Sequence, residues 1–562
     1  MMDLFKLLFM NKTIIFYLVL YVILFTSCRN SCYKAEQSIN LAGIMKDIEI
    51  LSHDSLLGRA PLKTGEQRTI EYLKQRMQKI GLEPAFDGLF TQPVPLVEIK
   101  SSTPDKIDVR TQNNLLKLKS GTDYVAWSPV LEEVVHVDKA ELIFAGFGIH
   151  APEIGWDDFK GLDVKGKVIV VIVNDPDYFS GDTSLFKGKA MTYYGRWRYK
   201  FEEAERQGAL GCLIIHEEGA AGYPWSVVCD KPNRSEYFID TQASTSKKCK
   251  LTGWITSNMA EKLFKSCGFE YEMMKNQASK RGFQAIALNS TITISIQNSW
   301  SKARSQNVAG LIRGSQKPDE VLVYCAHWDH LGIGKAIDGD SIYNGASDNA
   351  AAIAWMLSIA EAFKKLPEPP KRSVLFFSPT AEEVGLLGSE YFVGHPPFDI
   401  QKTIACFNND VILFLGKFDD LTVTGLGTSE LDDYLRHEAE KRGRYILPDP
   451  NPENGMFFRS DQLPFLKAGI PSLFAKGYSY QTDLGKERTQ EKINEYWKTT
   501  YHKPCDEYDP LNQNFEGLLD DARLFFGLGF RLSNENLYPK FNEESEFNPN
   551  RLKIKHSEQG IN

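Results

Sequence analysis

The chain has 562 residues, 42% of them hydrophobic and 25% charged, ordinary globular values that at roughly 100 to 200 residues per domain leave room for several well-filled cores. Its net charge is −8. With no basic surplus and no long basic run to neutralise phosphates, the composition argues against a nucleic-acid partner.

Lys6 and Lys12 precede an apolar run over 13–25, followed by Thr26, Ser27 and Cys28. A basic stretch, an apolar stretch and then small residues form the pattern of a secretory signal, and the run is short for a membrane-spanning helix. Residues 24–28 also resemble a bacterial lipoprotein lipobox, although Phe25 stands where a smaller residue is usual. That resemblance implies a signal peptide over 1–27, a lipid on Cys28 and a tether over 28–37. The chain would then be held on the cell envelope, in the periplasm or outer membrane, by acyl chains rather than by a helix. The alternative is an ordinary signal peptide that releases a soluble protein. Export permits disulfides, but the other cysteines show no CxxC spacing, which argues against a structural zinc finger. Cys325 and Cys406 lie in apolar, strand-like runs and read as buried thiols.

Residues 38–82 read as helical, with Ile70, Leu73, Met77 and Ile80 at three- and four-residue spacing and Gly81 as a stop. Within them, the polar, Gly-punctuated stretch 51–60 reads as a loop packed on the core rather than as chemistry. Over 124–293 the texture changes to strands at 141–149, 166–174 and 209–216, with a short helix at 201–208. This block reads as a β-rich module inserted between two parts of one domain, 38–123 and 294–536. His150 and His216 lie in it without acidic partners at ligand spacing and are assigned no chemistry.

From Asn307 onward strands at 307–312, 321–326, 374–378, 404–408 and 471–476 alternate with helical stretches such as 350–364. Right-handed crossovers then predict an α/β fold, a mixed, largely parallel sheet with helices on both faces. The polar, charged tail 537–562 is expected to be loosely ordered.

Open sheets of this kind bind ligands outside the carboxyl ends of their strands, and that is where the metal-binding residue types recur. The run VLVYCA ends in His327, Trp328, Asp329 and His330, and a Gly-rich loop leads on to Asp348. Further on, SVLFFS runs into Glu382 and Glu383, IACFNND ends in Asp410, and His502 comes late in the chain. Imidazole and carboxylate are the ligands of catalytic zinc, and Asp329, two residues beyond a His, can orient the imidazole. Each segment alone has a bland explanation, such as a polar turn or an acidic helix N-terminus favoured by the macrodipole. Their recurrence at sheet ends does not.

Over 38–532 these motifs resemble the co-catalytic two-zinc aminopeptidases, metallopeptidase family twenty-eight, a group that also holds glutamate carboxypeptidases. The block 124–293 resembles the protease-associated domain inserted in several secreted peptidases. The resemblance implies a zinc aminopeptidase/phosphorylase-like fold with two Zn2+ ions. His327 and Asp410 would hold one, Glu383 and His502 the other, and Asp348 would bridge them through a cis Asp348–Asn349 segment, with Asp329 orienting His327. Zinc lowers the pKa of bound water so that hydroxide is available near neutral pH, and Glu382 would be the general base. Tyr501 matches the family's oxyanion donor, with simple packing as the alternative. Arg459, Ser460 and Asp461 match a stretch near the substrate pocket, with no role assigned.

The implied activity is removal of N-terminal residues from peptides. Carboxypeptidase or dipeptidase action on the same metal core is the alternative. Glutaminyl cyclisation on one zinc, or a non-catalytic receptor-like relative, is disfavoured because all five ligand positions and Glu382 are present.

Overall fold

The computed structural model describes residues 31–229, 234–240 and 248–548. The expected signal segment and Cys28 lie outside them. No helix of the described residues is long and apolar enough to cross a membrane.

Four strands form the parallel centre of the sheet that carries the sheet-end motifs. Lys317–Cys325 lies between Arg372–Ser378 and Thr403–Asn408, and Ser472–Lys476 pairs beyond the last. Apart from the first residues of Lys317–Cys325, all are buried along their length, as parallel strands covered on both faces must be. The sheet is mixed, because the end of the long strand Ile286–Ile312 adds antiparallel to Arg372–Ser378 and Asp420–Thr424 adds antiparallel to Ser472–Lys476.

The period-two alternation of strand side chains sends Leu322, Tyr324, Val374 and Phe376 to one face and Val321, Val323, Leu375 and Phe377 to the other. On the first face they meet helix Ala351–Lys364, which is apolar on nearly every side because helices Leu41–Leu51 and Glu516–Asn534 enclose it. Phe392 and Phe465, from helices Leu387–Gly394 and Gln462–Lys467, cover the second face.

A second module has its own core. Val134–Phe144, Val168–Ile172, Gly211–His216 and Leu251–Thr256 pair in parallel in that order, flanked by helices Trp197–Arg206, Ser257–Ser266 and Tyr271–Ala278. The chain connects the modules through two long strands, Thr91–Ser102 and Ile286–Ile312, which pair antiparallel from Gln297 to Val308. The expected start at 124 is too late for this packing. The hairpin Lys106–Arg110 and Leu115–Lys119 places Ile107, Val109 and Leu118 in the module's core with Val135 and Ile292.

The tail also differs from expectation as far as it is described. Phe547 is buried against Phe457 and Phe458, and the Glu546 carboxylate accepts the Tyr193 N–H at 2.8 Å. Aromatic burial and this hydrogen bond hold residues that composition alone marks as a solvated tail. Cys325 and Cys406 are buried free thiols, as expected.

Candidate metal centre

Cys325 is paired with Phe377 on one side and Asn408 on the other, so three parallel strands end at the same level. The loops leaving them stay tied together: Trp328 N–H donates to Pro379 O and Asn409 N–H to Cys325 O, both at 3.1 Å. His327, Glu382, Glu383 and Asp410 therefore converge at one sheet edge.

Asp348 reaches the same place through a cis peptide bond to Asn349 at the start of helix Ala351–Lys364. Its two oxygens face different histidines. Oδ1 is 3.5 Å from His327 Nε2, and Oδ2 is 3.2 Å from His502 Nε2. His327 Nε2 is also 3.2 Å from Asp410 Oδ1, and His502 Nε2 is 3.2 Å from Glu383 Oε2.

His330, assigned no role from the sequence, is part of the cluster. Its Nδ1 lies 2.6 Å from Glu383 Oε1, and its ring meets that of His502 edge-on. The only sequence signal was its place in the same strand-end segment as His327.

Asp329 is fully buried, but its carboxylate stands 3.9 Å from His327 Nδ1. That nitrogen instead lies 3.1 Å from the Asp329 carbonyl oxygen. The Asp329 carboxylate accepts the backbone N–H groups of Glu382 and Glu383. Tyr501 stacks on His502, with ring centroids 3.8 Å apart, and lines the cavity above the cluster.

Three further residues support the centre from beneath. The Arg59 guanidinium, 1% exposed, donates to the carbonyls of Leu51, Trp328, Asn344 and Gly345. Asp506 accepts the N–H groups of Ser347 and Asp348 at 3.0 and 3.2 Å. Lys476 Nζ donates to the carbonyls of Asp410 and Val411, and burial pushes its ammonium down to about 8.

The cluster's charge is unbalanced. Burial pushes the Glu382 carboxyl well above its ordinary range, with Asp410 and Glu383 adding to the effect. Burial acts against protonated histidine, yet Glu382, Asp410 and Asp348 hold His327 well above its usual value, and Glu383 and Asp348 raise His502 to about 10. Burial similarly opposes ionised Glu383, but His502 and His330 bring it well below the carboxylate range. Four convergent carboxylates call for positive charge, and the donor sets fit metal ions. His330, Asp348, Glu383 and His502 offer ligand atoms within 4.8 Å of one another, as do His327, Glu382 and Asp410. His502 Nε2 is buried between the Asp348 and Glu383 carboxylates, 3.2 Å from an oxygen of each, the setting of a nitrogen that would share a cation with them.

Residues 307–522 match the profile of peptidase family M28. Aminopeptidase NAALADL1 of Mus musculus is 31% identical over 152 residues, 26% of this chain and 18% of its own length. Aminopeptidase YwaD of Bacillus subtilis is 27% identical over 198 residues, 34% of this chain and 40% of its own. The chain thus spans well under two thirds of the length of these curated relatives. Among solved structures, an aminopeptidase from Aneurinibacillus sp. strain AM-1 aligns over 90% of this chain and 97% of its own, at 16% identity and a TM-score of 0.48.

Proposed function

Because residues 307–522 match the profile of peptidase family M28, we propose that the protein is a two-zinc aminopeptidase that hydrolyses the N-terminal bond of peptides. The observation that carries this reading is the placement of Asp348, with one oxygen toward His327 and the other toward His502. A carboxylate so turned suits two cations held close together.

His327 and Asp410 would hold one ion, Glu383 and His502 the other, and Asp348 would be shared. Bound zinc would supply Lewis-acid polarisation of the scissile carbonyl and acidify water near neutral pH. The remaining chemistry belongs to the chain. Glu382 borders the cavity beside Asp410 and is fixed through its backbone N–H by Asp329. It accepts a proton from the attacking water and returns it to the leaving amine. Burial pushes the Tyr501 hydroxyl well above its ordinary value, so it stays protonated and serves as a hydrogen-bond donor to the developing oxyanion.

The sequence pattern of 1–28 supports export and a lipid anchor on Cys28. The chemistry of the 124–293 block, which lends Arg196 and Arg198 to the cavity wall, supports a role in shaping access, as a protease-associated insert would.

The test is hydrolysis of matched dipeptides with free or acetylated amines and free or amidated carboxylates, with and without zinc. Zinc-dependent cleavage that requires the free amine supports the proposal. Cleavage indifferent to acetylation rejects aminopeptidase polarity, and a requirement for the carboxylate alone indicates a carboxypeptidase.

A further inference from the structure

A second cavity, of about 300 Å³, adjoins the one above the metal centre and shares with it the wall residues Trp197, Arg198, Glu236, Tyr237, Val384 and Gly385. One strand, Arg234–Ile239, runs along both. Its residues Ser235, Glu236 and Tyr237 border the metal cavity, and Glu236 to Ile239, with Asp240 just beyond, border the second. Successive side chains of a strand point to opposite faces, so a cavity that touches five consecutive residues runs along the strand's edge rather than over one face.

That edge is open among the described residues. Arg234–Ile239 pairs antiparallel with Thr91–Ser102 on one side. On that side Asp240 N–H donates to Pro95 O at 2.9 Å, which sets the alternation of the ladder. Glu236 and Phe238 turn their backbone groups toward Ile99 and Val97, whereas Ser235, Tyr237 and Ile239 turn theirs to the other side. The backbone N–H and C=O groups of these three have no hydrogen-bond partner among the described residues.

The strand itself is held in place. The Tyr237 and Ile239 side chains pack against Val94, Leu96 and Leu387 of the first module. Across the second cavity stand Trp127, Trp197 and Phe201 of the second module. An open strand edge is a template for pairing with another chain, and here it faces an aromatic-lined cavity that leads to the metal centre. Strand addition at such an edge is a recurring way of binding an extended peptide: the main chain supplies affinity, and pockets for alternate side chains supply preference.

We infer that the free edge of Arg234–Ile239 binds the downstream residues of the peptide substrate as an added strand, so that the preferred substrates are extended peptides rather than dipeptides. This rests on the peptidase reading and deepens it. With the peptide's N-terminus at the metal centre, its chain leaves past Ser235 toward Asp240, in the direction of the strand, and the added strand is parallel. The edge from Glu236 to Asp240 is about 13 Å long, room for about four extended residues beyond the cleaved bond.

The experiment compares Ala-Ala amide with Ala-Ala-Ser-Ala-Ser-Ala amide as substrates of the zinc-loaded full chain, reading the first residue released. Wild type is expected to favour the hexapeptide by about 10- to 100-fold in kcat/KM, the value of two or three net hydrogen bonds. Only alternate residues of an added strand bond to the edge. Methylating the backbone nitrogens of residues three and five, or of residues four and six, should therefore abolish the advantage in one case and leave it within about threefold in the other. Ile239→Pro removes one outward donor at a place where an edge strand tolerates proline, and it should bring the hexapeptide-to-dipeptide ratio to within about threefold. Ile239→Ala keeps the donor and should keep the ratio. Equal use of the two peptides by wild type, equal loss from both methylated forms, or a ratio that survives Ile239→Pro overturns the inference and leaves the peptidase reading intact. If thermal denaturation shows that Ile239→Pro does not fold, the two methylated peptides decide on wild type alone. If no peptide is cleaved, the peptidase reading fails. Calorimetric binding of the hexapeptide and its two methylated forms to the zinc-loaded chain then decides the edge by itself, at least tenfold weaker binding of one form alone supporting it and equal binding of both overturning it.

Discussion

Asp329 joins the two sides of the metal centre: its carboxylate accepts the Glu382 N–H at 3.1 Å, while its carbonyl oxygen stands 3.1 Å from His327 Nδ1. The orientation of the histidine thus runs through the backbone, and the carboxylate serves the Glu382–Glu383 loop. Replacing Asp329 by Asn leaves the carbonyl in place but turns one acceptor into a donor facing a backbone N–H. Outer partners of this kind are worth about 10- to 100-fold in activity or metal affinity. Asp329→Asn should lower kcat by that order while zinc content stays near wild type. Early loss of one zinc with kcat per bound ion unchanged would place the carboxylate's role on His327 instead.

Arg59 offers a test from beneath the site. Its donors satisfy five buried carbonyls, among them those of Trp328, Asn344, Gly345 and Asp348, in the segments carrying His327 and Asp348. An orphaned buried carbonyl costs about 1–3 kcal/mol, so Arg59→Met should lower stability by several kcal/mol and raise the zinc concentration needed for half-maximal activity. Thermal denaturation with and without zinc measures both. A melting temperature and zinc requirement equal to wild type would reject the supporting role.

The residues that this region contributes differ in how plainly they can be read from sequence. Parallel strands buried on both faces spell themselves out as apolar runs, so VLVYCA, SVLFFS and IACFN mark the sheet edge and the residues just beyond them. Arg59 could not be read in this way, because its carbonyl partners lie up to 289 positions away and a guanidinium bonded to backbone leaves no spacing pattern. The same holds for Asp506, whose acceptors meet amides 158 and 159 residues distant. The hairpin over 106–119 escaped for another reason. Its alternating strands, KIDVR and LLKLK, show a half-buried face but not which core that face joins, and only its pairing along Ile286–Ile312 assigns it to the second module.

Glu382 is the group whose removal separates binding from chemistry. The Glu382→Gln variant keeps the shape and removes the proposed base, so zinc binding should persist while kcat falls by about 10²- to 10⁴-fold. Zinc analysis alongside single-turnover hydrolysis reads the two separately. Wild-type turnover would remove Glu382 as the base.

Asp432 allows a pH test remote from the metal centre. Burial raises this carboxyl to about 6, and its ionised form accepts the Gly427 N–H at 2.7 Å. Between its unfolded value of 3.8 and about 6 the folded chain binds the extra proton, so this group's contribution to stability is present at low pH and is lost as pH rises through 6. Asp432→Asn cannot titrate. Its stability relative to wild type should therefore improve by about 1–3 kcal/mol from pH 4 to pH 7, an upper range because part of the group reaches solvent. Denaturant unfolding of both proteins across that interval gives the difference directly, and parallel stability curves would refute the assignment.

The anchor prediction rests on Cys28 and on the chemistry of acylation. A single lipid chain binds a bilayer only marginally, so stable attachment takes more than one acyl chain or a second membrane contact. The described residues supply no long apolar helix as such a contact. Membrane retention should then depend on the thiol: Cys28→Ala should abolish acyl labelling and move the protein into the soluble exported fraction with its peptidase activity unchanged. If the variant stays with the membrane, the attachment lies elsewhere and the lipobox reading fails. If the variant is soluble but the wild type also carries no label, the 1–27 segment acts as an ordinary signal.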